Sequence, residues 1–181
     1  MRVNVRDETD KASSFVIQTA EVMEMPHAID HFVRMVESKL WDGLTFVHEY
    51  DSKVVVATPM TQDASHTWAG QRFTDANITH MAFTETSVSF PPPHYRKFSV
   101  GFSGRPGGPS FYINMDDEVV ASHEHESMFG VVMEGRDVLL QFFLKNHEDG
   151  QDKKMLSIDS IEMLTPRVAV GVGRFQQQNQ K

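Results

Sequence analysis

Residues 25–46 read MPHAIDHFVRMVESKLWDGLTF and combine an amphipathic helix, a tight turn and the start of a strand. Pro26 suits the first turn of a helix, because its missing N–H would have no partner there. Gly43 supplies the positive-φ conformation in which helices commonly end, and the β-rich run Leu44–Tyr50 follows. The stretch predicts a helix over Ala28–Leu40, docked on a core and followed by a strand. The apolar positions that would face the core recur at helical spacing: Ile29, Phe32, Val33, Val36 and Leu40.

The rest of the chain alternates short β-type runs with turn signals and contains one further amphipathic stretch. That stretch follows Gly135 and predicts a second helix over Arg136–Lys145. Thr61–Asn77 is polar and irregular and is predicted as a long surface loop. Two helices among many short strands favour a barrel over a parallel sheet. The runs predicted as strands are Arg2–Arg6, Phe15–Thr19, Leu44–Tyr50, Lys53–Thr58, His80–Glu85, Lys97–Phe102, Phe111–Asn114, Met128–Met133, Met155–Met163 and Arg167–Val172.

The composition predicts one globular domain and excludes several classes of function. With 181 residues, 40% of them hydrophobic, we predict a single domain over 1–175 and a disordered Gln-rich tail over 176–181. The net charge of −8 offers no basic face for a phosphate backbone, so nucleic-acid binding is not expected. No run approaches the roughly 20 apolar residues of a membrane span. The absence of cysteine excludes disulfides and a thiol nucleophile, and leaves the compartment open.

Four segments carry aromatic and glycine motifs in a set order: Trp41-Asp42-Gly43 with Phe46, Arg72-Phe73-Thr74-Asp75, Phe98-Ser99-Val100-Gly101 followed by Gly104 to Gly108 and Ser110-Phe111-Tyr112-Ile113, and FGVVMEGRDV at residues 129–138. In order and spacing they resemble the cyclophilin family of peptidyl-prolyl cis-trans isomerases, and they span most of the chain. The resemblance implies a mainly β fold, a closed eight-stranded antiparallel barrel capped by two α-helices. It also implies a peptide groove on the outer face of the barrel.

The resemblance further implies how such a domain acts on a prolyl peptide bond. The rotational barrier is about 20 kcal/mol, and an arginine in the family groove lowers it by donating to the prolyl nitrogen as resonance is lost. An ungapped match places His48 at the position of this arginine, and a one-residue slip would place Glu49 there. Neither offers the permanent charge and five donors of a guanidinium. The sequence therefore predicts weak or no isomerase activity, which His48→Arg should raise if the groove is otherwise intact.

The other groove positions that the resemblance assigns are also largely changed. Tyr112 keeps an aromatic residue in the proline pocket, while Val54 replaces the pocket methionine. Phe102 replaces a small polar residue and is predicted to fill part of the groove. Glu126 stands where the family has a histidine. The full predicted peptide groove consists of Val54, Val56, Phe102, Ser110, Phe111, Tyr112 and Glu126.

One dense cluster of metal-capable side chains occurs at residues 123–126, His-Glu-His-Glu. In a strand His123 and His125 would share one face and could bind a zinc or nickel ion. Such a site needs a third ligand, for which His66 and His94 are candidates, but the sequence gives no evident one. We therefore predict a solvated acidic loop, no metal and no cofactor.

Three functions remain open. The first is a domain that binds proline-containing peptides or protein loops, an isomerase by family but with weak or no activity. The second is a structural subunit or appendage of a larger assembly, without catalysis. The third is an active isomerase, which requires an arginine from a loop to reach the groove: Arg72, Arg96 or Arg105. An open groove lined by Phe111 and Tyr112 would favour the first, and a large apolar patch elsewhere on the barrel would favour the second.

Overall fold

A computed structural model gives the fold and describes residues 1–49, 53–61, 69–78, 81–87, 97–103, 109–117, 126–149 and 155–164. Within these ranges the chain forms eight strands and three helices. In chain order they are β1 (Arg2–Arg6), β2 (Ala12–Thr19), α1 (Pro26–Glu37), β3 (Leu44–Glu49), β4 (Val54–Thr61), α2 (Gln71–Asp75), β5 (Ser99–Phe102), β6 (Phe111–Asn114), β7 (Met128–Glu134), α3 (Arg136–Asp149) and β8 (Leu156–Glu162).

The strands close into an antiparallel barrel with the order β1-β2-β7-β5-β6-β4-β3-β8. Strand β1 pairs with both β2 and β8, so strands from the two ends of the described chain seal the wall. Closure removes the exposed strand edges that would otherwise template pairing with other chains. The predicted mainly β, closed eight-stranded barrel is confirmed.

Alternation along the strands directs a row of apolar side chains into the barrel. Phe32 of α1 packs against this row, with its ring 5.2 Å from that of Phe111 and 6.4 Å from that of Phe102. Helix α1 therefore docks on the barrel through aromatic contacts. The interior row consists of residues opposite one another on β3, β4, β6 and β5, all fully buried: Phe46, Ala57, Phe111 and Phe102.

Helix α1 begins and ends earlier than predicted, and its N-terminus is capped by a distant residue. Its N-cap, Met25, provides no side-chain acceptor. Glu85 provides one, because the backbone N–H of Ala28 donates to its carboxylate at 2.7 Å. A carboxylate at this end also interacts favourably with the helix dipole. The helix ends at Glu37, and Lys39 takes a φ of 52° in the turn that follows.

Helix α3 begins at Arg136 as predicted and continues to Asp149, beyond the predicted end at Lys145. Gly135 precedes it with a φ of 72°, in the left-handed region that favours glycine. A Cβ at this position would also lie 2.8 Å from the Cα of Phe15, which belongs to the backbone and cannot turn aside. The junction between β7 and α3 therefore requires glycine for two independent reasons.

The strand predicted over His80–Glu85 is wrong in its described part. Residues 81–87 follow an irregular path beside the start of α1. The described hydrogen bonds of this segment involve side chains. For example, the backbone N–H of Glu85 donates to Ser127 Oγ at 2.7 Å. The alternating sequence pattern does not indicate that the Glu85 carboxylate accepts a hydrogen bond from the N-terminus of α1.

The loop predicted over Thr61–Asn77 contains the short helix α2, which was not expected. Phe73 anchors it, because this side chain is buried with its ring 5.0 Å from that of Trp41. The predicted strand Arg167–Val172 and the predicted tail 176–181 lie outside the described residues.

Candidate functional site

A row of residues crosses the outer side of five neighbouring strands, opposite to the interior row. In antiparallel pairs, residues directly opposite each other point to the same face of the sheet. Adjacent residues on each strand point to the other face, so the neighbours of this row belong to the barrel core. We call it the outer row, and its members in order across β3, β4, β6, β5 and β7 are Val47, Val56, Tyr112, Gly101 and Met128.

Tyr112 fills the centre of the outer row by lying across Gly101. A Cβ on Gly101 would be 2.7 Å from both Cζ and Oη of Tyr112, so the ring occupies the space that any side chain there would need. Covering a cross-strand glycine with an aromatic ring restores packing that glycine cannot provide. Tyr112 is 0% exposed, and Val54 and Met128 pack with it. The aromatic residue predicted for the proline pocket is present, but its ring is enclosed.

Glu126 is a charged residue close to this apolar cluster. It is almost completely buried, at 6% exposure. Burial of the phenol, and secondly the negative charge of Glu126, raise the pKa of Tyr112. The Tyr112 hydroxyl therefore stays protonated at any physiological pH and acts as a neutral hydrogen-bonding group, not as a base or nucleophile.

His48 points into the barrel, away from the outer row. It is opposite Val55 of β4, a core residue, and its ring is 4.5 Å from that of Phe143 on α3. Alternation along β3 therefore places Val47 and Glu49 on the outer side. The assignment of His48 to the arginine position stays a prediction, but a side chain with this orientation does not face a peptide on the outer side.

Phe102 and Phe111, both predicted as groove residues, point into the barrel. Both belong to the interior row, and Phe102 stacks at 4.5 Å from Phe129 while Phe111 lies 5.0 Å from Trp41. Their strand neighbours on the outer row are Gly101 and Tyr112. The expectation that Phe102 partly fills the groove stays a prediction, but its side chain points into the barrel, and on the outer side the Tyr112 ring lies across Gly101.

Of the predicted groove residues, the structure brings Val54, Val56 and Tyr112 together in one cluster. Ser110 is half-buried just before β6, and its carbonyl accepts a hydrogen bond from the backbone N–H of Ser103 at 2.8 Å. Sequence reasoning missed three members of the outer row. The period-two alternation around known core residues could have identified them: Val47, Gly101 and Met128.

The described part of the chain supplies no arginine to the outer row. Arg72, one of the loop candidates, donates from Nη1 to the carbonyls of Asp42 at 2.9 Å and Leu40 at 3.4 Å. It thereby fastens α2 to the turn after α1. Arg96 and Arg105 lie outside the described residues.

A separate cleft of about 140 Å³ lies between the β1–β2 hairpin and α3. Phe142 and Leu156 contribute apolar surface, while Lys11, Asp137 and Lys145 contribute charges of both signs. None of the residues that line it belongs to the outer row. Sequence analysis did not predict this cleft.

Within the ranges that the structure describes, no group of three or more His, Asp or Glu side chains is placed to hold a metal ion. The predicted metal-capable pair, His123 and His125, and the candidate third ligands, His66 and His94, lie outside those ranges. Among the described helices, none has the length and apolar character needed to cross a membrane.

The sequence matches the family described as cyclophilin type peptidyl-prolyl cis-trans isomerase/CLD over residues 5–164. The chain belongs to this family. The match includes all five strands that carry the outer row. Comparison with curated protein sequences finds no match.

Solved cyclophilins share the fold at low sequence identity. A cyclophilin-type isomerase from Cryptosporidium parvum, crystallised with the dipeptide Ala-Pro, superposes with a TM-score of 0.51 at 11% identity. That superposition covers 89% of this chain and 100% of the other. A second structure of the same enzyme gives 0.52 at 11% identity, covering 89% and 98%. These similarities establish a shared cyclophilin architecture.

Proposed function

We propose that this cyclophilin-type domain binds proline-containing segments or loops of partner proteins and catalyses their isomerisation weakly or not at all. The observation that carries this proposal is the apolar outer row. Val47 faces outward on β3, Val56 and Tyr112 continue the row, and His48 turns inward. A prolyl ring can make apolar contacts with side chains of this kind, whereas the twisted amide of the transition state is stabilised by a preorganised hydrogen-bond donor such as the family arginine.

The expected loss of activity follows from the lack of an arginine among the described members of the outer row. Removing one preorganised donor from a catalytic site typically costs about 3–4 kcal/mol of transition-state stabilisation. Each 1.36 kcal/mol corresponds to about tenfold in rate, so we expect isomerisation at least about a hundredfold slower than in an arginine-bearing cyclophilin. The ground-state contacts of a proline with apolar side chains do not depend on that donor. We therefore expect a proline segment to bind even though its isomerisation is slow.

Exchange spectroscopy on a short Xaa-Pro peptide tests the catalytic part. An arginine-bearing cyclophilin at the same concentration is the positive control, and this domain should leave cis-trans exchange near the uncatalysed rate. His48→Ala should not change that result, since the imidazole packs against Phe143. Strong wild-type exchange would overturn the proposal, and its loss in His48→Ala would return His48 to the catalytic role.

The binding part is tested by titrating labelled protein with N-acetyl-Ala-Pro-amide and, as a matched control, N-acetyl-Ala-Ala-amide. Binding predicts amide shift changes on β4, β5 and β6 that are larger for the proline peptide. Equal or absent changes would contradict it.

A structural role in a larger assembly is the second candidate, and the enclosure of Tyr112 favours it. This residue is 0% exposed, so Tyr112 itself does not line an open aromatic groove of the kind expected of a peptide binder. If that role is correct, neither peptide perturbs β4, β5 or β6, and full-length partners bind without competition from proline peptides.

A further inference from the structure

The cleft between the β1–β2 hairpin and α3 has the size and the floor of a pocket for one apolar side chain. Its volume is about 140 Å³, and a dry cavity of about 150 Å³ is enough to hold benzene. Phe142 and Leu156 on its floor are buried, and Val138 is half-buried. The cleft is therefore large enough for a ring or a leucine side chain.

Helix α3 forms one wall of the cleft and carries a charge at each end of that wall. Asp137 and Lys145 are separated by eight residues, which corresponds to about 12 Å along a helix axis. Both are exposed, and among the described residues neither has an ion-pair partner within 4.0 Å. The apolar floor therefore lies between a negative and a positive charge. The lining residues of the helix recur at helical spacing: Asp137, Val138, Gln141, Phe142 and Lys145.

The hairpin turn meets the lysine end of this wall. The hydrogen bond from the Thr9 hydroxyl lowers the pKa of Asp7 most, and the positive charge of Lys145 also contributes to lowering it. The Asp7 carboxylate is engaged inside the turn, because its Oδ1 also accepts from the backbone N–H groups of Thr9 and Lys11 at 2.9 and 3.1 Å. At this end Lys11 adds a second ammonium group and Glu8 one carboxylate. Two lysines therefore face one carboxylate that no hydrogen bond within the turn engages.

We propose that this cleft is a second binding site, for an extended segment of a partner protein with a basic, an apolar and an acidic side chain at positions i, i+2 and i+4. In an extended segment these side chains share one face, and the outer two are about 13 Å apart. This spacing matches the distance between Asp137 and Lys145 along α3. The basic side chain pairs with Asp137, the apolar one fills the cleft, and the acidic one approaches Lys145. The site is separate from the outer row and does not depend on proline binding.

The test uses N-acetyl-Lys-Ser-Leu-Ser-Glu-amide, which contains no proline, and three matched peptides. One changes the leucine to alanine, one changes the glutamate to lysine, and one changes the lysine to glutamate. Amide chemical shifts of labelled protein locate the site and give dissociation constants. Shift changes are expected on the β1–β2 hairpin and α3, and not on β4, β5 or β6. The alanine peptide should bind at least about tenfold more weakly, and each charge-reversed peptide about two- to fivefold more weakly.

Protein variants test the charges from the other side of the contact. Lys145→Glu should weaken the first peptide about two- to fivefold, and the peptide with lysine in place of glutamate should then bind more tightly than the first. Arg34→Glu is the matched control, because it makes the same change in net charge at an exposed residue of α1 that does not line the cleft. It should alter neither affinity. Circular dichroism verifies that both variants, each of an exposed residue, are folded.

Several outcomes would overturn the site. They are an absence of shift changes on the hairpin and α3, or equal binding of the leucine and alanine peptides. Equal effects of Lys145→Glu and Arg34→Glu would overturn the pairing with Lys145, because net charge alone would then explain the affinities. Free leucine that binds the cleft as tightly as the first peptide would overturn a protein segment as the occupant. Proline binding at the outer row is tested separately, since none of these peptides contains proline.

Discussion

The two faces of strands β4 and β6 are both buried, but they are packed by different means. The interior row places the Phe111 ring among other aromatic rings, at 5.2 Å from Phe32 and 5.0 Å from Trp41. The outer row has Tyr112 at its centre, with its ring covering the neighbouring Gly101. Burial alone would class both faces as core. The register distinguishes them: on the outer face one tyrosine ring packs over a glycine, whereas the interior is packed by rings from several elements.

The largest effect that tests this comparison is expected inside the barrel. Phe111→Ala should lower the free energy of unfolding by about 3–5 kcal/mol, because it leaves a cavity among rings that belong to different elements. Urea denaturation followed by circular dichroism measures the change. Phe83→Ala is the control, since Phe83 is 50% exposed and its removal should cost well under about 1.5 kcal/mol. Equal losses in the two variants would show that Phe111 is not part of an interlocked interior.

An intermediate effect is expected from a pair of glycine substitutions. Gly135→Ala combines a φ of 72° with a backbone contact at 2.8 Å to Phe15 Cα, and should cost about 2–4 kcal/mol. Gly101→Ala meets only the tip of the Tyr112 side chain and should cost less. Thermal or urea unfolding of both variants gives the order. A Gly101→Ala protein less stable than Gly135→Ala would mean that the outer row is as rigid as the backbone junction.

The smallest effect is expected where the packing is polar, at the N-terminus of α1. Glu85→Ala removes the acceptor of the Ala28 N–H and should lower the free energy of unfolding by about 1 kcal/mol, while Glu85→Gln should retain part of it. Glu37→Ala, an exposed change at the other end of the same helix, is the control and should cost nothing measurable. If the Glu85 variants are as stable as the wild type, the segment 81–87 does not hold the helix in place.

Much of the architecture was predictable because local patterns and tertiary packing agree. The apolar stripe of α1, the turn at Gly43 and the start of α3 after Gly135 depend on periodicity and on glycine conformations that neighbouring residues suffice to specify. The predictions failed where long-range contacts decide. Residues 81–87 contact the N-terminus of α1 instead of pairing in a sheet. Part of the predicted polar loop forms the short helix α2, in which the Phe73 ring packs beside Trp41.

For the site, an ungapped comparison along β3 selects His48, whereas the barrel wall places Val47 outward. The reason is that side-chain direction in a strand changes with every residue, so a placement that is correct to within one residue can still choose the wrong face. The sequence by itself determined the family and the closed barrel. Only the tertiary structure decided that Phe102 and Phe111 belong to the interior and that Tyr112 lies across Gly101. Both facts depend on the register between strands β5 and β6, whose pairing is set by the closure of the whole barrel.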